Sequence, residues 1–237
     1  MLGVEGTSDL DRASALSDAG DHLAALALVD RVLALDPGRA EAHVARGWAL
    51  ESLGPEHLTQ ARDAYAEAVR LDPDALWAKE GLANVLRRLG RSREADALAA
   101  EVVTLALGLP ERDTETLELQ GWCEYELGRL ADAERTFRRA LDADPDLVAV
   151  RFDLGLVLLC AGRAQEALAA YAHGLADAQR LGDVAGLVRT ALEDLEEALS
   201  RRAPLRAEPA ARAARERLLG FDGPASSRGN AVPMGAP

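Results

Sequence analysis

Trp48, Trp77 and Trp122 are the residues of this chain best suited to chemistry, and the chemistry is recognition rather than bond making. Tryptophan, tyrosine and arginine dominate the energetics of binding surfaces. The chain holds only three Trp, three Tyr and three Phe in 237 residues, so each aromatic has to be accounted for. The usual catalytic types are present but scattered. His22, His43, His57 and His173 form no HxxxH or HExxH pair, and none is near a cysteine in sequence. Cys123 and Cys160 have no CxxC partner, which argues against a zinc site or a disulfide framework and for two reduced, half-buried thiols. No GxGxxG or GxxxxGK[ST] loop cradles a phosphate, and no GxSxG elbow presents a nucleophile. The acidic run from Glu193 to Glu197 reads as the solvated face of a helix. The expectation is a protein with no catalytic residue, no metal and no cofactor.

Charge narrows the partners. The net charge is −13, which is the wrong sign for a nucleic-acid binder with its basic stripe. The longest wholly apolar run, Leu154–Ala161, falls far short of the ~20 residues that span a bilayer. The first residues have neither the basic nor the apolar region of a signal peptide, so a cytoplasmic location is expected. Lys79 is the only lysine among many arginines and alanines, a bias expected of a GC-rich bacterial genome.

The elements that position the tryptophans are set by a repeat. Glycines fall at Gly20, Gly54, Gly90, Gly128 and Gly162, and alanines at Ala25, Ala61, Ala95, Ala133 and Ala167. The Ala follows its Gly by a constant interval except in the second repeat, where the loop Pro55-Glu56-His57-Leu58 is longer. Leu35-Asp36-Pro37, Leu71-Asp72-Pro73 and Ala143-Asp144-Pro145 close three of the units, each proline ending one helix. Apolar residues recur at three- and four-residue steps, as in Leu23, Leu26, Val29 and Leu33, and no stretch alternates as a strand would.

Small residues at a fixed phase, with Tyr65, Phe137 and Tyr171 in the second helices, make the pattern resemble the tetratricopeptide repeat, a helix–turn–helix unit of about 34 residues. The resemblance implies an all-α fold, a right-handed solenoid of antiparallel helix pairs. Repeats are expected at about 6–39, 40–75, 76–109, 114–147 and 148–181. An amphipathic helix at 184–202, with Leu187, Ala191, Leu195 and Leu199 on its apolar stripe, would cap the last repeat. Residues 203–237 are rich in Arg, Ala, Pro and Gly and are expected to be a flexible tail, with a possible short helix over Pro209–Leu219.

With each repeat's glycine numbered 15, positions 4, 7, 8, 11 and 14 of the first helix form the packing stripe. Positions 2, 5, 9, 12 and 13 form the opposite one, which in this family lines a peptide-receiving concave groove. Trp48, Trp77, Asn84, Arg87, Arg88, Glu118, Trp122, Tyr125, Phe152 and Leu156 fall on that groove stripe. The aromatics either bind there or fill gaps between neighbouring first helices. Arg87 and Arg88 suit an acidic or carbonyl-rich spot on a ligand, Glu118 and Glu126 a basic one. Only Asn84, Arg87 and Arg88 match any part of the family's carboxylate clamp, all within one repeat, so that clamp is not expected. The expected function is a scaffold or adaptor that binds a protein or peptide partner, not nucleic acid or membrane. The alternative is a subunit of a homo- or hetero-oligomer that uses the apolar fifth repeat and cap as its interface. Arg87, pointing off the core, should be replaceable without loss of stability.

Overall fold

A computed structural model describes residues 3–110, 112–181, 185–202, 205–206 and 208–220. Among them the chain is all helical. The helices are α1 (Gly3–Asp18), α2 (His22–Leu35), α3 (Ala40–Leu53), α4 (Leu58–Leu71), α5 (Leu76–Arg88) and α6 (Ser92–Gly108). They continue as α7 (Thr114–Glu126), α8 (Leu130–Ala143), α9 (Val148–Cys160), α10 (Ala164–Leu181), α11 (Ala185–Arg201) and α12 (Pro209–Leu219). The long second-repeat loop forms a 3-10 turn, Pro55–His57.

The punctuation is local chemistry. Gly20, Gly54, Gly90, Gly128 and Gly162 are the described residues with left-handed φ. At four of these sites the turn closes as a paired C-cap. Gly90 N–H donates to Arg87 O at 3.0 Å and Arg91 N–H to Leu86 O at 2.8 Å, satisfying carbonyls that the helix end leaves open. The Asp-Pro sites work differently. Asp36, Asp72 and Asp144 accept from the backbone N–H two residues on, at 3.2, 3.0 and 2.9 Å, so each aspartate builds the turn that its proline begins.

Two compact units result, one ending at Arg129 and one beginning at Leu130. In the first, α1 to α7 pack each on the next, and the first helices α1, α3, α5 and α7 also lie side by side. Small residues permit this. A methyl group added at Gly81 would come within 2.4 Å of the Tyr65 ring, and one at Gly47 within 2.8 Å, so Tyr65 of α4 is held between α3 and α5 by two missing side chains. In the second unit α9 packs on α8 and α10, and Tyr171 lies 6.0 Å from Phe152, centroid to centroid.

Near the end of the chain the short helix expected over Pro209–Leu219 is present as α12, and instead of lying loose in a tail it packs on α10 and α11 with Ala210, Ala211, Ala214 and Leu218 buried. Arg217 donates to Leu168 O at 3.0 Å, and Arg215 pairs with Glu196. The helix α11 packs on α9, so α11 and α12 together make a further helix pair. Its buried stripe is Val188, Ala191, Leu195 and Ala198, with Leu187 exposed and Leu199 only half-buried. Residues 203–204, 207 and 221–237 lie outside the described residues, as does 184 at the expected start of the cap.

Candidate functional site

The groove stripe of the first unit is carried by α3, α5 and α7. Trp48 and Trp77 are 49% and 50% exposed, unlike the buried Tyr65, Phe137 and Tyr171. Trp122 is half-buried, its ring 5.2 Å from that of Tyr125 at a tilt of 38°.

The charged residues between the indoles are engaged with one another. Glu51 on α3 accepts from Asn84 at 2.8 Å, from Arg88 at 3.0 Å and from the Tyr65 hydroxyl at 3.3 Å. Arg87 reaches Glu126 on α7 at 2.5 Å and Asp96 on α6 at 2.9 Å, and its side chain is only 11% exposed. Position 12 of one repeat thus pairs with position 13 of the next, Glu51 with Arg88 and then Arg87 with Glu126. Glu51, at position 12 of the second repeat, and Glu126, expected to suit a basic spot on a ligand but instead paired with Arg87, are the structural hubs. The signal for them is complementary charge at those two positions. Arg87 and Arg88 are accordingly not free to greet an acidic ligand.

Between α5 and α7 lies a crevice lined by Glu80, Asn84, Arg87, Trp122, Cys123 and Glu126, with a free volume of about 10 Å³, room for one water and no small molecule. Glu80 has no hydrogen bond or ion pair with the described residues. Removal from water, with Glu51 and Glu126 nearby and Arg87 opposing them, pushes its carboxyl up to about 8. Burial also lifts Glu118, helped by Glu115. The Cys123 thiol is driven well above its ordinary range by burial and by Glu80, which makes it a poor nucleophile. Among the described residues no group of three His, Cys, Asp or Glu side chains could hold a metal ion, and no helix is long and apolar enough to cross a membrane.

Three expected site residues are not surface. Tyr125 is buried at 5%, and in the second unit Phe152 and Leu156 are each 2% exposed. Phe152 packs against Tyr171 and into the space left by Gly174, where a methyl would come within 2.5 Å of its ring. With α11 laid on α9, the groove stripe of the fifth repeat becomes core.

Helix pairs with small residues at each crossing and a left-handed glycine between them define a helical-repeat protein, and the family follows from sequence profiles. Two profiles described as tetratricopeptide repeat match, one over residues 74–146 and the other over 10–55 and 118–180. The chain belongs to the tetratricopeptide repeat family. No curated protein matches it in sequence. Solved structures share the fold. TTC0263, a thermophilic tetratricopeptide repeat protein of Thermus thermophilus, is 24% identical with a TM-score of 0.62, over 79% of this chain and 98% of that one. PilW, described as a type IV pilus biogenesis factor, is 19% identical with a TM-score of 0.56, over 90% and 99%. Pseudomonas aeruginosa pilF is 18% identical with a TM-score of 0.53, over 90% and 97%.

Proposed function

We propose that this protein is a non-catalytic scaffold that holds a segment of a partner protein along the first-helix face of its first unit. The fold is that of protein-interaction scaffolds, and a fold alone does not name a ligand. The observation that carries the reading is the pair of half-exposed indoles, Trp48 on α3 and Trp77 on α5, on helices that pack side by side. Leaving two such rings in water forgoes burial worth roughly 1.5–3 kcal/mol each, and an incoming apolar anchor would recover it. The competing reading, an oligomer built on the apolar fifth repeat, has little surface to use, because Phe152 and Leu156 are covered within their own unit.

The test is affinity capture from a bacterial lysate with the full chain and with a Trp48→Ala/Trp77→Ala double variant. Both side chains are half in water, so the variant should fold. Partners retained by the parent should be lost or weakened at least tenfold with the variant. Undiminished capture would place the binding surface elsewhere.

A further inference from the structure

Resting on that reading of the face, we propose that the mouth of the crevice between α5 and α7 receives a basic side chain, an arginine or lysine of the partner, set against Trp122 and beside Glu80, so that the bound segment is basic.

The argument begins with which charges remain unspent. Arg87 is held by Glu126 and Asp96, and Arg88 by Glu51. Lys79, the only lysine, is buried and pairs with Glu101 at 2.5 Å. Among the described residues, the carboxyl groups left on this face without an ion pair are Glu80, Glu115 and Glu118, of which Glu80 is mostly protonated at pH 7 until a cation binds beside it. They are grouped about one aromatic, since Glu118 lies one helical turn before Trp122 and Glu80 lines the same crevice. A cation over an indole gains from the ring's negative face, and a carboxylate beside it adds a charge-assisted hydrogen bond. Glu80 is suited to that bond because it is half-buried at the crevice and accepts no hydrogen bond from the described residues. An incoming guanidinium would satisfy it without displacing an internal partner. An acidic segment would meet only carboxylates and arginines already neutralised.

The site carries its own titration signature. The groups around Glu80 are Glu51 from α3, Tyr65 from α4, Arg87 on its own helix, and Cys123 and Glu126 from α7, with Asp96 of α6 acting through Arg87. In the free protein Glu80 ionises at about 8. A bound cation favours the ionised form, so binding at neutral pH releases a proton and affinity rises with pH. If only the ionised form binds, affinity rises roughly tenfold between pH 7 and pH 9, because apparent affinity follows the competent fraction.

The experiment is selection of a short random-peptide library displayed on phage against the full chain, followed by titration of synthetic copies of the enriched peptides. Enrichment of arginine or lysine is expected. Binding should fall about tenfold with Glu80→Gln at pH 9, strengthen with pH in the parent and lose that dependence in the variant. A remote exposed change, Glu56→Gln, should leave affinity unaltered, which separates the site from attraction to an acidic protein in general. Enriched peptides without basic residues whose binding is lost with Trp48→Ala would overturn this inference and leave the first-helix reading standing. Enriched basic peptides as sensitive to Glu56→Gln as to Glu80→Gln would also overturn it. Peptides indifferent to both Trp48→Ala and Trp77→Ala, or no enrichment at all, would sink both readings.

Discussion

Replacing Arg87 by glutamate sets another carboxylate beside Glu80 and Glu126 and strips Glu126 and Asp96 of their cation. Breaking a buried ion pair from one side leaves charge uncompensated in a place that water reaches poorly, at a cost of about 3–5 kcal/mol. Urea unfolding of Arg87→Glu should show a loss of that order. An unchanged midpoint would mean that the side chain sits in solvent, as its helical phase alone suggests. The contrast explains what the sequence could and could not say about the site. Helical phase places Trp48, Trp77, Asn84 and Arg87 on one stripe, and the structure keeps them there. Phase says nothing of what a long side chain does with its end, and a guanidinium beside two carboxylates of neighbouring repeats turns inward to them. Position 12 paired with position 13 of the next repeat is the rule that would have exposed this in advance, because both residues are fixed by the same repeat count.

Helix positions were the most legible feature, since their boundaries rest on strong local signals: a left-handed glycine, an aspartate that builds its own turn, a proline that cannot continue a helix. What covers each helix was less so. Apolar periodicity marks a face without saying which neighbour lies on it, so Phe152 and Leu156 pass for ligand contacts until α11 is seen lying on α9. The start proline and end glycine mark α12, but its alanine- and arginine-rich composition hid its packing, because small alanines that fit closely on α10 and α11 look like tail residues in sequence. The close approaches themselves can be tested. In Gly81→Ala the new methyl meets the Tyr65 ring at 2.4 Å, and the ring is already held by Gly47 on its other side. Overpacking of this kind costs roughly 1–3 kcal/mol. Gly186→Ala, on α11 with nothing within 4 Å, should change stability by no more than about 0.5 kcal/mol. Thermal melts of the two variants should therefore separate clearly. Equal melting temperatures would show that Tyr65 has room to move and that the repeat spacing does not depend on the bare glycine.

Taken as one chain, the protein carries −13, and the same balance that argues against nucleic acid sets how a basic partner should arrive. Charge spread over a surface acts at a distance and so governs encounter, whereas indole rings act only in contact and so govern escape. The two contributions separate with salt, because the screening length falls from about 10 Å at 0.1 M ionic strength to about 3 Å at 1 M. For a basic peptide bound on the first-helix face, the association rate should drop about tenfold over that range. The dissociation rate should change far less, about twofold, since Trp48, Trp77 and Trp122 hold by apolar contact, which salt does not screen. Stopped-flow fluorescence of the tryptophans reads both rates. If dissociation instead speeds as much as association slows, the complex is held by exposed ion pairs alone, and the indoles are not its anchors. If neither rate responds to salt, the partner is not recognised by charge, and the half-exposed rings alone must account for its affinity.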